Sequence, residues 1–185
     1  SKGKTIRFTL DGSEPTINSE AYNIPVPITE SVNIKAAVFN SDGKLGDTFS
    51  QNINLHKAVG KKISINKELN TSYPGSGAAG LVNGISGSDT RYGDKEWLGF
   101  SGEDIELEID LGEETEVSSI ITRFHNGNGQ WIYAPKQITI SYDNNEASII
   151  DIPSSEELLI PIQIFANKKV KLVTLSIPNY GIIQE

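Results

Sequence analysis

The chain has 185 residues, enough for one or two domains at the usual ~100–200 residues each. Its 24 acidic and 16 basic residues leave a formal net charge of −8, which repels phosphate backbones and anionic lipid and so argues against nucleic-acid and membrane partners. Cysteine is absent, which excludes disulfides, zinc–thiolate sites and thiol nucleophiles, and no apolar run approaches the ~18 residues of a membrane span.

Strand-like alternation recurs along the chain, and the helical period is almost absent. Lys4 to Leu10 alternates polar and apolar residues and meets the turn signal Asp11-Gly12. Val32 to Phe39 predicts a second strand, closed by Ser41-Asp42-Gly43, and Thr48 to Leu55 a third. These segments make a first β-module over residues 1–56. A second unit, residues 57–185, opens with a short strand at Lys61 to Ile65. The segment from Asn70 to Gly93 is rich in Gly, Ser, Asn and Asp, and loops longer than ~12–15 residues are usually functional or disordered. Ile105 to Leu111 alternates with carboxylates on its wet face, Gly112-Glu113 predicts a turn, and Val117 to Phe124 the next strand. His125 to Gly129 reads as a loop. Ile138 to Tyr142 predicts a strand ending at Asp143-Asn144-Asn145, and Ile160 to Phe165 and Val170 to Ile177 complete the set. Short strands separated by turn signals predict an all-β chain: a small β-sandwich-like module, then a larger β-sandwich. Methionine is absent, position 1 included, so the chain is expected to begin inside a longer reading frame or after processing.

Two stretches carry a family resemblance. Ile6 to Thr16 with Tyr22, Ile34-Lys35-Ala36 and Gly43-Lys44 resembles the small β-domain that follows the catalytic barrel of chitobiase-like β-hexosaminidases. His56 to Lys62, Tyr73-Pro74-Gly75, Leu81 to Ile85, Trp97 to Phe100, Ile109 to Gly112 and Gly129 to Lys136 resemble a discoidin-type domain, the coagulation factor 5/8 C-terminal type, akin to family 32 carbohydrate-binding modules. In this order the pair is similar to the C-terminal region of bacterial family 20 glycoside hydrolases. The resemblance implies a discoidin jelly-roll sandwich for the second unit. It also implies a non-catalytic accessory role beside a catalytic domain of the same polypeptide, and an extracellular, periplasmic or cell-surface location. The family continues past a segment like Asn179-Tyr180-Gly181 into a final strand with an acidic residue; here the chain stops at Glu185, so that last strand is expected to be missing or disordered.

The residues themselves offer little to catalysis. Glycosidases need two carboxyl groups flanking a bond, and the neighbouring acids Asp94 with Glu96, Glu103 with Asp104 and Glu113 with Glu114 read as wet strand ends and loop positions. The histidines, His56 and His125, lie in a linker and a loop, and no Gly-x-Ser-x-Gly elbow accompanies them. Sugar binding has better material. Sugars present C–H faces that stack on aromatic rings and hydroxyls that need hydrogen-bond partners. Two loops mix the two kinds of group: Arg91 to Trp97, and His125 to Trp131. Arg91, Tyr92, His125 and Asn126 are the stronger candidates for direct contact, while Trp97 and Trp131 read more readily as packed core or loop anchors. Terminal galactose or N-acetylhexosamine is the glycan the resemblance implies. It also implies a structural calcium near a Leu-x-Asp-Gly stretch, here Leu81 to Gly84, with Asn83 in place of the family's frequent Asp and Ser88, Asp89 and Thr90 as helpers. Two rival roles fit the same folds: a brace for a catalytic domain, or a protein-interaction module.

Overall fold

The computed structural model describes residues 3–102, 104–145 and 147–178. The Asn179-Tyr180-Gly181 segment, the question of a final strand, and Glu103 lie outside the described residues. Among the described residues nearly all regular secondary structure is strand, in two antiparallel sheets, consistent with a β-sandwich protein. It divides into two compact units, Ser1–His56 with Gly84–Ser86, and Lys57–Asn83 with Gly87–Glu185.

The first unit is a four-stranded sheet in the order β2-β1-β3-β4, with β1 at Thr5–Thr9, β2 at Glu20–Ala21, β3 at Val32–Asn40 and β4 at Gly43–Ile53. Strand β4 starts five residues before the predicted Thr48, because Asn40 builds the hairpin turn. Its side-chain oxygen accepts the N–H groups of Asp42 (2.9 Å) and Gly43 (3.1 Å). A bulge hid this start. Ala36 faces Phe49 while Val38 faces Leu45, so extra residues around Gly46-Asp47 break the alternation. The 11–19 loop ties back to the sheet: Arg7 Nη1 donates to the Ser19 carbonyl (2.6 Å), and Glu14 accepts from Lys35 (2.6 Å) and Thr48 (2.8 Å). The Lys35 bond, then the Thr48 bond, hold the Glu14 carboxyl below its usual value. The register puts Ile6, Phe8, Ala36, Val38, Leu45 and Phe49 on one face of the sheet. Phe8 there is buried, but Ile6, Phe49 and the adjoining Tyr22 are exposed.

The second unit is a five-stranded sheet in the order β5-β6-β9-β7-β8: β5 Lys62–Ile65, β6 Ile105–His125, β7 Gln137–Tyr142, β8 Ser148–Asp151 and β9 Leu159–Ile177. The predicted turn at Gly112-Glu113 is corrected here: the chain does not reverse, and β6 runs on to His125. The two predicted strands are one, interrupted by a register shift between Asp110 and Thr115, with Gly112 at φ 85°. Strand β9 likewise joins Ile160 to Phe165 with Val170 to Ile177 through Asn167 at φ 45°. Two successive irregularities, the first on β6 around Gly112 and the second on β9 around Asn167, let the long ribbon bend, and both its halves feed one core. That core gathers Leu111, Val117, Ile138, Ile140, Tyr142, Ile152, Ile160, Val170, Val173 and Leu175. The turn after β7 is legible, since Asp143 and Asn144 hold the positive φ values of 51° and 58° of a primed turn, closed by the Asn145 N–H donating to the Tyr142 carbonyl at 2.9 Å. Asp143 also accepts the N–H groups of Lys171 (3.0 Å) and Leu172 (2.8 Å), tying the turn to β9.

Ile140 is wholly buried, whereas Ile149 on the neighbouring strand is 66% exposed. In urea denaturation, Ile140→Ala is expected to cost about 2–5 kcal/mol by leaving a cavity. Ile149→Ala is expected to stay within about 0.5 kcal/mol of the parent. Equal losses would place the core elsewhere.

Candidate functional site

The end of β6 and the loop segment before it bring the aromatic candidates together. His125, the last residue of β6, is buried, with Tyr92 packed edge-on at 5.4 Å between ring centroids and Trp97 at 5.6 Å. Tyr73 extends the cluster, edge-on to Tyr92 at 5.9 Å. The Arg123 guanidinium lies 5.5 Å from the centre of the Trp97 ring, a cation–π contact.

Glycines allow these close approaches. A Cβ on Gly87 would sit 2.7 Å from Cδ1 and 2.8 Å from Cε2 of Trp97, so the indole lies directly on bare backbone. Its Nε1 donates to the Ser88 carbonyl at 3.1 Å, which satisfies the one polar atom of a half-buried ring. Gly75, at φ 52°, lets the 70–77 segment pack on the carbonyls of Lys95 and Trp97, where a Cβ would meet both at 2.8 Å. Exchanged bonds between Asn70, Tyr73 and Gly99 hold the two segments parallel to that contact: Asn70 N–H to Gly99 O at 3.0 Å, and Gly99 N–H to Tyr73 O at 2.9 Å.

The charges cancel in pairs. Arg91 reaches Asp94 at 3.2 Å, and the same carboxylate accepts the Ser88 N–H at 2.9 Å. Arg123 pairs with Asp89 and also donates to the Gly87 carbonyl at 3.2 Å. Two guanidiniums therefore meet two carboxylates around the aromatic cluster. His125 differs: both ring nitrogens are buried and have no hydrogen-bond partner among the described residues. A buried donor or acceptor left unmade costs about 1–3 kcal/mol, so this imidazole is a vacant hydrogen-bonding position in an otherwise matched cluster.

The expected contact residues thus separate. Tyr92, Trp97 and His125 converge, with Trp97 as the anchor and Tyr92 nearer the surface, while the exposed Arg91 side chain pairs with Asp94. Asn126 departs from the expectation of direct sugar contact. It is buried, its Nδ2 donates to the carbonyls of Ser155 (2.9 Å) and Glu157 (3.2 Å), and its Oδ1 accepts from the Ala134 N–H (3.3 Å). It is a bracket between loops, and little of it remains for a ligand. Trp131 lies on the loop beyond, 71% exposed. Tyr73 and Arg123 were not among the sequence candidates. Arg123 stands two residues before His125, on the same face of β6, a relation that appears only once the strand is seen to run through His125.

Of the four residues considered for calcium, Ser88, Asp89 and Thr90 have other partners in this structure. Among the described residues no group of three or more His, Asp or Glu side chains gathers to hold a metal. Asp89, the one carboxylate of the set, is paired with Arg123. The Ser88 and Thr90 hydroxyls lie 3.3 Å apart and serve a local turn, with the Thr90 N–H donating to Ser88 Oγ at 3.2 Å. Asn83, at the end of the short 3-10 helix Ala78–Val82, would add one neutral oxygen. Calcium takes 6–8 oxygens and gains most from anionic ones, which are spoken for here.

Residues 1–50 match the family model described as the chitobiase/beta-hexosaminidase C-terminal domain. Among solved structures, the chain is similar to the lectin domain of lectinolysin complexed with Lewis B antigen. Identity there is 18% over 68% of this chain and 86% of that one, with a TM-score of 0.48. A histidine mutant of the lectin binding domain of lectinolysin, complexed with Lewis b, gives 17% identity over 69% and 88% with a TM-score of 0.51. A glycoside hydrolase gives 12% identity over 80% of this chain and 37% of that one, with a TM-score of 0.40. No curated protein matches the chain. The class defined is therefore a two-unit β protein: one unit carries the signature of a glycoside hydrolase's C-terminal domain, and the chain shares a fold with a lectin domain.

The Gly87–Trp97 contact gives a direct test of the cluster. Gly87→Ala is expected to destabilise by about 1–3 kcal/mol through overpacking and to shift tryptophan emission to the red. Gly93→Ala, where nothing lies within 4 Å of the added Cβ, is the control. An unchanged melting temperature and spectrum for Gly87→Ala would mean that the indole does not rest on that backbone.

Proposed function

We propose that the chain is a non-catalytic accessory region of a bacterial β-hexosaminidase-like glycoside hydrolase, exported to the cell surface, periplasm or medium. In this reading its second unit, a discoidin-type domain, binds the non-reducing ends of neutral glycans such as galactose or N-acetylhexosamine. One observation carries the proposal: His125 is buried, edge-on to Tyr92 and Trp97, with both ring nitrogens unpartnered among the described residues. A sugar hydroxyl can both donate and accept, so it suits either tautomer of a neutral imidazole. The Tyr92 ring offers the apolar face that sugar C–H groups stack on, and Arg91, 74% exposed at its side chain, gives donors at the rim. Entry requires a small shift of the rings that cover the imidazole, which suits a weak, reversible site. Tethering to an enzyme makes weak affinity useful by raising effective concentration. The lectin-domain fold and the hexosaminidase-type match of residues 1–50 support the same reading.

A second role has its own observation. The exposed Ile6, Tyr22 and Phe49 give the first unit an apolar surface on one sheet face. Such a surface suits packing against a catalytic domain of the same polypeptide. The two roles belong to different units and are compatible.

A glycan array followed by titration calorimetry tests the first. Tyr92→Ala and His125→Gln are expected to weaken binding about tenfold or more with the fold intact. Silence of the folded parent protein across the array would overturn the glycan reading and leave the packing role. Calcium is expected to be dispensable: millimolar calcium or chelator should move the melting temperature by less than about 2 °C. A calcium-dependent rise of several degrees would restore the metal site.

A further inference from the structure

The segment after His125 closes on itself and displays aromatic rings. The Gly127 carbonyl accepts the N–H groups of both Gln130 (2.8 Å) and Ile132 (3.3 Å), making a tight loop. The Asn126 bracket fixes its base, through Ala134 on one side and Ser155 and Glu157 on the other, and the Asn126 N–H adds a bond to the Leu158 carbonyl at 2.7 Å. At the far side of this loop Trp131 has φ 62°, the left-handed region that bulky side chains rarely occupy. Its ring is 71% exposed, and Tyr133, two residues on, is 53% exposed. Both the strain and the exposure oppose folding, and neither is relieved by packing. Strain held in this way marks positions where the surroundings over-determine a conformation for use.

We infer that Trp131 and Tyr133 form a second subsite, and that the ligand is therefore a neutral oligosaccharide rather than a single terminal sugar. The inference rests on the His125 cluster receiving the first residue. The second subsite adjoins it along the chain: a Cβ on Gly127 would lie 3.4 Å from His125 Cε1 and 2.6 Å from Gln130 Oε1, so the loop begins against the imidazole itself. From Asn126 to Lys136 the only charged residue is Lys136. Exposed aromatic rings in an uncharged segment suit stacking of a neutral pyranose and offer nothing to sialic acid or sulfate. The alternative occupant of exposed aromatic rings is a lipid surface, which the net charge of −8 and the single basic residue disfavour. Bracing the loop in advance lowers the ordering cost of binding, so the rings can add affinity without a conformational change.

The test compares short and long probes. Galactose, N-acetylglucosamine, N-acetyllactosamine and the β-1,4 trimer of N-acetylglucosamine are titrated into the whole chain and into Trp131→Asn. Asparagine tolerates the left-handed backbone, so this variant removes the ring without new strain. Tyr133→Ser is the second variant. The expected result is unchanged monosaccharide affinity, within twofold, and an oligosaccharide affinity about fivefold weaker in each variant. Equal losses for short and long probes would put Trp131 in the first subsite and overturn the inference. So would unchanged affinity for both, or binding to phosphatidylcholine vesicles that Trp131→Asn abolishes. If the parent protein binds none of the four sugars, the reading of the His125 cluster fails first, and the second subsite falls with it.

Discussion

The pairing of Ile105–His125 with Leu159–Ile177 carries the second unit. One ribbon supplies partners for β5 on one side and β7 on the other, and both its halves contribute to a single core. The irregularities near Gly112 and Asn167 make this possible. A ladder of this length kept in strict register would twist away from its own first half and leave Val117 and Ile160 in water. The same ribbon sets the site, because His125 is where β6 runs out and the loops take over.

Around that end the structure balances opposing demands. Burying an imidazole, part of an indole and most of the Arg123 guanidinium removes polar groups from water, while Arg91 stays exposed. The balance is restored by partners for each: Ser88 for the indole N–H, Asp94 for Arg91, and Asp89 and the Gly87 carbonyl for Arg123. His125 is the exception, and an exception inside a matched network is more informative than another satisfied bond. Without Gly75 and Gly87 the backbones could not approach closely enough for any of this.

Much of the fold was legible in the sequence, for identifiable reasons. Alternation located the strand interiors, since one buried face imposes period 2, and Asp143-Asn144 announced its turn. The turn read at Gly112-Glu113 was not a turn, because a bulge and a reversal draw on the same residues and differ only in what lies across the ladder. The short strands Glu20–Ala21 and Ser148–Asp151 gave no periodic signal. For the site, residue chemistry found Arg91, Tyr92, Trp97 and His125, but it could not divide them into anchor, rim and vacancy. It also overvalued Asn126, since a buried amide and a ligand-binding amide look alike until their partners are known. Tyr73 and Arg123 enter only through tertiary proximity.

The bend in the ribbon also has a consequence for local opening. Beyond it, among the described residues, Thr115–His125 and Leu159–Val170 pair only with each other, whereas the halves before it are flanked by β5 and β7. A two-stranded segment is far less protected than the middle of a sheet. Amide protons there should exchange with solvent sooner than those of Ile138–Tyr142, and His125 sits at the tip of that less protected half. The outer edge of β9 carries Pro161, Lys168 and Lys169, residues that discourage a stray strand from joining, while β6 from Ser118 to Thr122 carries none. That half of the ribbon therefore has one guarded margin and one unguarded one, and breathing of the ribbon is the motion that would first uncover the histidine.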